Sequence, residues 1–233
     1  MKSKLQEHPI FVEAFKATLD LSENERFLLL AGRGTYRGKE TLFKSYEWLG
    51  RFCGYIEQLK YAVGMLSKYR GNASSSGATR ADHIQYAIEN FYFRYPAALD
   101  RALRAVNEAF SLGLNPRACR YDAVKKDAKI AGTPVATALA DIRAAASKYK
   151  KMRDNIAHYG NYEDATLAKI GASCIAKKID PARFSKWDAH VKTMADSYVK
   201  SRKYEFREDI AILEKLLYIF FNSLTIKISG GPE

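Results

Sequence analysis

The residues best suited to chemistry lie in one short run, Lys148-Tyr149-Lys150-Lys151-Met152-Arg153-Asp154-Asn155-Ile156-Ala157-His158-Tyr159-Gly160. A basic helical segment here ends in a histidine, and Gly160 stands where a left-handed residue closes a helix. The carbonyl end of a helix favours imidazolium, whereas Arg153 and the neighbouring lysines oppose it. That opposition suits His158 to giving and taking a proton. Arg153 carries a planar, permanently charged fork that matches phosphate oxygens. One side chain can thus move a proton while the other stabilises developing negative charge. Spacing sets a condition: five residues at ~100° each put Arg153 and His158 about 140° apart around a straight helix. They share a site if the last turn unwinds, if Arg153 reaches across, or if two copies of the helix meet about a two-fold axis. The competing reading is an ordinary helix end with a capping histidine and a solvated arginine.

Other candidates are weaker. Gly32-Arg33-Gly34-Thr35-Tyr36-Arg37-Gly38-Lys39-Glu40 resembles a phosphate loop but lacks the glycine spacing and the hydroxyl after lysine. It reads as a basic loop between helices. His8 and His190 have no informative neighbours, and His83 with Asp82 sits at a helix start. No His and acidic residues show metal-ligand spacing, so neither a metal nor a cofactor is expected. The run Phe91-Tyr92-Phe93-Arg94-Tyr95 offers rings for base stacking, but aromatics covering every face of a helix indicate a buried helix or one at a dimer interface.

The elements that must position these residues are helical. From Lys39 to Tyr69, apolar residues recur at three and four, which predicts one long helix in which Gly54 and Gly64 permit close helix contact. Residues 70–79 have the composition of a linker. A second helix is expected from about Asp82 to Leu112, kinked or divided at Pro96 and ended by Gly113 and Pro116. Thr133-Pro134 starts a helix that carries Tyr149, Met152 and Ile156 in its apolar set and ends near Gly160. Asp180-Pro181 starts another through about Lys200, and a last helix spans roughly Glu205 to Ile226. Residues 229–233 read as a disordered tail. The expectation is an all-α bundle.

Composition agrees with that class. Apolar residues form 47% of the 233, with 15 Tyr and 12 Phe, enough for a real core. The three cysteines, Cys53, Cys119 and Cys174, read as thiols in a reducing compartment. No apolar run is long enough to span a bilayer, and the first residues lack the apolar stretch of a signal peptide. The expected location is cytoplasmic, with no membrane partner. Thirty-eight Lys plus Arg against 26 Asp plus Glu give a net +12, which favours encounter with nucleic acid.

The whole segment Arg153-Asp154-Asn155-Ile156-Ala157-His158, late in a helix of an all-α chain, resembles the Arg, polar residue, His motif of HEPN domains. The long helices before it also look HEPN-like, over roughly residues 40 to 165. The resemblance implies a single HEPN-type domain over 1–233, with the motif-bearing core at about 40–165 and C-terminal helices at about 181–226. It further implies a metal-independent endoribonuclease working as a homodimer, in antiviral defence or as a toxin. A cognate antitoxin or defence-system protein would then be a partner. The 2′-hydroxyl of RNA would attack the neighbouring phosphate. His158 would be the acid/base, Arg153 the phosphate clamp and Asp154 the residue that orients one of them. Lys148, Lys150, Lys151 and Tyr159 would contact RNA. In toxin members regulated by a nucleotidyltransferase a tyrosine lies two residues beyond the histidine. Here Gly160 holds that place, with Tyr159 and Tyr162 flanking it. An inactive HEPN module that binds RNA, a nucleotide or a protein remains an alternative, as does a helical adaptor.

Overall fold

Apolar residues spaced at three and four build helices, and helices are what the chain forms. The computed structural model describes residues 4–19, 22, 40–69, 78–160 and 162–229, and every regular element among them is helical. In chain order these are α1 (Pro9–Leu19), α2 (Glu40–Met65), α3 (Arg80–Arg94), α4 (Ala97–Ala109), α5 (Tyr121–Lys126), α6 (Pro134–Ser147), α7 (Lys150–Tyr159), α8 (Ala165–Ile179), α9 (Pro181–Phe184) and α10 (Asp188–Ser229). Short 3-10 turns occupy Lys4–Glu7 and Ser185–Trp187. The all-α class holds. Among the described residues no helix is long and apolar enough to cross a membrane.

The chain divides into two compact units. The first comprises Met1–Glu57, Ala97–Ala146 and Ile212–Glu233. Its core is built from Ile10, Leu49, Phe52, Ile56, Val106, Leu139, Ile142, Phe220 and Phe221, all fully buried. The Phe52 and Phe221 rings meet edge to face at 5.6 Å, and buried His8 sits edge-on to Tyr218 at 4.8 Å.

The second unit comprises Gln58–Pro96 and Ser147–Ala211, and it contains α7. Thr79 begins α3 with a capping box: its hydroxyl accepts from the Asp82 N–H at 3.2 Å, and the Asp82 carboxylate accepts from the Thr79 N–H at 2.7 Å. Phe91, Tyr92 and Tyr95 are all buried, and Phe91 stacks on Phe206 at 3.9 Å between centroids. The aromatic run is therefore a core-forming helix face, with Phe93 alone turned outward. On α8, Leu167 and Ile170 complete this core. A Cβ at Gly171 would lie 3.5 Å from that of Ala81, so α8 runs close against the start of α3.

Four expectations need correction. The helix beginning at Pro134 is not continuous to Tyr159; it stops at Ser147, and α7 starts afresh at Lys150. Residues 200–205 do not separate two helices, because α10 runs unbroken from Asp188 to Ser229, and the helix begun at Pro181 ends after Phe184. Gly54 and Gly64 do not mark close contact, since a Cβ at either would meet nothing within 4 Å. Met152 is exposed rather than core. Division at Pro96 is observed as α3 and α4. The glycine-rich loop before Glu40, most of the 70–79 linker and the tail from 230 lie outside the described residues.

Candidate functional site

Tyr149 leaves the helical path (φ −108°, ψ 7°) so that its ring can join the core of the second unit. There it contacts Tyr92 at 4.8 Å, Tyr95 at 5.3 Å and Phe91 at 5.6 Å between centroids. The hydroxyl reaches two carboxylates of α10, Glu205 at 2.8 Å and Asp209 at 2.5 Å. Beside it, the Lys148 ammonium donates to both Asp209 oxygens at 2.9 and 2.7 Å, with Glu205 at 3.5 Å. Burial, reinforced by the two carboxylates it bonds, pushes the Tyr149 phenol above the usual tyrosine range. These contacts fix the start of α7.

The other end is fixed by a second set. Gly160 takes the left-handed conformation (φ 88°, ψ −13°) and its N–H donates to the Ile156 carbonyl at 2.9 Å. The chain then turns, and the Tyr162 N–H donates to Glu89 of α3 at 2.8 Å. Asp164 caps α8 by accepting from the Thr166 and Leu167 amides at 2.9 and 3.0 Å. Arg202 of α10 donates to Asp164 at 3.2 Å, to the Tyr162 hydroxyl at 3.1 Å and to Glu205 at 2.9 Å. Desolvation raises the Asp164 carboxyl, but the Leu167 amide, Tyr162 and Arg202 outweigh it and hold the group below the usual range. Desolvation of Glu205 is likewise outweighed by the bonds from Tyr149 and Arg202. Arg202, Glu205 and Asp209 recur at three and four along α10, so one helix face holds both ends of α7.

Between these anchors α7 is regular from Lys150 to Tyr159. Its last turn does not unwind, so Arg153 and His158 keep the angular separation of about 140° that helix geometry dictates. Arg153 is half-buried, and its Nε and Nη2 donate to Asp154 Oδ1 at 3.1 and 2.9 Å. Asp154 thus orients Arg153 and not His158. His158 is exposed, and among the described residues its side chain makes no hydrogen bond or ion pair. Lys150 and Lys151 are exposed, and Tyr159 is 79% exposed. Lys148 stands apart from them, because its charge is already matched by Asp209. Tyr162 is drawn into the Arg202 cluster, while Gly160, at positive φ, occupies a backbone position that a side chain strains. Among the described residues no three His, Cys, Asp or Glu side chains converge as metal ligands would.

The clamp of Arg202, Glu205, Asp209, Tyr149, Tyr162 and Asp164 is what sequence reasoning missed. One signal was there: Arg202, Glu205 and Asp209 are charged residues sharing a face with Val199, Phe206, Ile210 and Leu213, where an amphipathic pattern calls for apolar ones.

Residues 44–228 match the family model described as Cthe2314-like HEPN. No curated protein and no solved structure matches the chain.

Proposed function

The chain belongs to the HEPN family, a family of nucleotide-binding and ribonuclease-type domains, and from that premise we propose that it is a metal-independent endoribonuclease acting in antiviral defence or as a toxin. The observation that carries the reading is the exposed, unpaired His158 on the closing turn of a rigidly anchored helix, with an oriented Arg153 on the preceding turns. In this reaction His158 takes the proton of the 2′-hydroxyl as that oxygen attacks the adjacent phosphorus. The bond from phosphorus to the 5′-oxygen breaks, a proton returns to the leaving oxygen, and a cyclic phosphate and a 5′-hydroxyl result. Arg153 stabilises charge on the non-bridging oxygens. Lys150, Lys151 and Tyr159 hold the strand, by charge and by stacking.

Because α7 stays regular and Arg153 is tied to Asp154, one chain does not gather both groups on one face. The active form in this reading is a homodimer that brings two α7 helices together, each copy supplying part of the cluster. Purified protein cuts RNA in the presence of a chelator, and His158→Ala abolishes cutting while leaving the helical circular dichroism unchanged. Cutting that survives in His158→Ala, or that stops on chelation, overturns the proposal.

One observation favours a second reading. The Arg153 guanidinium is already engaged by Asp154, which suits a non-catalytic module that binds RNA, a nucleotide or a protein. Equal toxicity of the wild type and the Arg153→Ala, His158→Ala double variant on expression would decide for it.

A further inference from the structure

At the end of α8 farthest from α7 the second unit holds a hollow of about 600 Å³, within the range of small-molecule sites. Its lining on α8 runs from Ile170 to Lys177, roughly 9–20 Å along the helix from Asp164 at the helical rise, and includes no residue of α7. It therefore does not overlap the Arg153–His158 helix. Its floor on α8 is made of small side chains, Ala172, Ser173 and Ala176. The short segment that follows contributes two rings, Phe184 and Trp187, and Val191 of α10 adds an apolar wall.

Two features make this more than a surface dent. Trp187 is 53% exposed although it lines the hollow, so its indole is open to a ligand seated there. The lining also carries three cations, Arg80, Lys177 and Lys192, against one acid, Asp188. Lys177 is paired with Asp188, and Arg80 is paired with Asp196, whose charge Lys192 also faces, so the three cations exceed the two acids by one. Rings beside small residues make a slot for a flat ring, and cations at the same mouth select a negative group attached to it.

We propose that this hollow, formed by Trp187, Phe184 and Lys192 against the small-residue face of α8, binds a small anion carrying a flat aromatic ring. The site is independent of cleavage at α7, and its test uses no RNA.

The full chain carries its own reporter. Of the two tryptophans, Trp48 is buried and its indole N–H donates to Glu108 at 2.8 Å, so a ligand-induced change in emission reports Trp187. Adenosine 5′-monophosphate is the probe, with adenosine, inorganic phosphate and decanoate as its controls. The monophosphate quenches emission saturably, and adenosine or phosphate alone binds about tenfold more weakly or less. Lys192→Glu, on an exposed position, weakens binding of the monophosphate by about tenfold, and Ala176→Phe, which fills the slot, abolishes it. His158→Ala leaves it unchanged. Saturable quenching by decanoate but not by the monophosphate overturns the proposal. So does a response that is linear, identical in Lys192→Glu, or lost in His158→Ala.

Discussion

Lys148, Lys150 and Lys151 look equivalent in the sequence, but in the structure Lys148 pairs with a buried acid whereas Lys150 and Lys151 are exposed. Lys148→Ala removes two contacts, at 2.7 and 2.9 Å, from an Asp209 side chain that is only 8% exposed, and leaves that carboxylate with the Tyr149 hydroxyl. Breaking a fully buried pair from one side costs about 3–5 kcal/mol, and an exposed pair contributes about 0–1. The lysine itself is 45% exposed, so the cost falls between these limits, at about 2 kcal/mol. For a chain of this size that lowers Tm by roughly 4–8 °C. Lys150→Ala and Lys151→Ala, which touch no buried acid, stay within about 0.5 kcal/mol of wild type. In RNA binding the order inverts. Each of the exposed lysines, when removed, lowers the slope of log affinity against log salt by about 0.7 for a single strand, whereas Lys148→Ala leaves the slope alone. Thermal melts followed by circular dichroism, paired with salt titrations of binding to a single-stranded RNA, read both quantities. In an Asp209→Asn background the cost of Lys148→Ala should shrink. A Lys148→Ala variant as stable as wild type but with a reduced salt slope would refute the assignment.

Other outcomes follow from single residues. Gly54→Ala, in a helix interior where the new methyl meets nothing within 4 Å, stabilises the protein by about 1 kcal/mol in urea unfolding. Gly160→Ala forces a side chain onto φ 88° and destabilises by about 1–2 kcal/mol, with fraying of α7 visible in amide exchange. Burial holds the phenols of Tyr92, Tyr95, Tyr149, Tyr162 and Tyr198 above their usual range. Their contribution to stability is present below the unfolded value of about 10 and is lost as pH rises beyond it; an ultraviolet titration should show these phenolates forming only as the helices melt. Asp164 and Glu205 are shifted the other way, so their contribution is present above an unfolded value of about 4 and is lost as pH falls below it, read as a falling Tm.

Much of the helical plan was legible because burial imposes a period of 3.6 on any helix that packs by one face. The division at Pro96 and the starts at Pro134 and Pro181 were equally plain, since proline restricts its own backbone and lacks a donor. The break at Lys148 and Tyr149 was not. A tyrosine at the right spacing counts as apolar in a helical stripe, and nothing local says that its hydroxyl seeks carboxylates 56 and 60 residues away. The continuity of α10 was hidden for the same reason. Arg202 and Glu205 look like a polar gap between two helices until they are seen to pair with each other, Arg202 with Asp164 as well, and to hydrogen-bond Tyr162 and Tyr149. At the candidate site, residue types and the left-handed closure at Gly160 were readable, and so was the awkward angle between Arg153 and His158. The resemblance left open whether Asp154 orients Arg153 or His158, and the structure pairs it with Arg153.

The long helix α10 has a bearing on how the protein is made. Its 42 residues serve both units, 188–211 in the unit that holds α7 and 212–229 in the other. During synthesis, residues 147–160 are made before Arg202, Glu205 and Asp209 exist to hold them. The nascent chain carries the Arg153–His158 segment without its clamp, and the first unit lacks Phe220 and Phe221 until still later. A premature stop before residue 202 therefore yields a product in which α7 keeps its contacts to α3 but has lost the Arg202, Glu205 and Asp209 anchors.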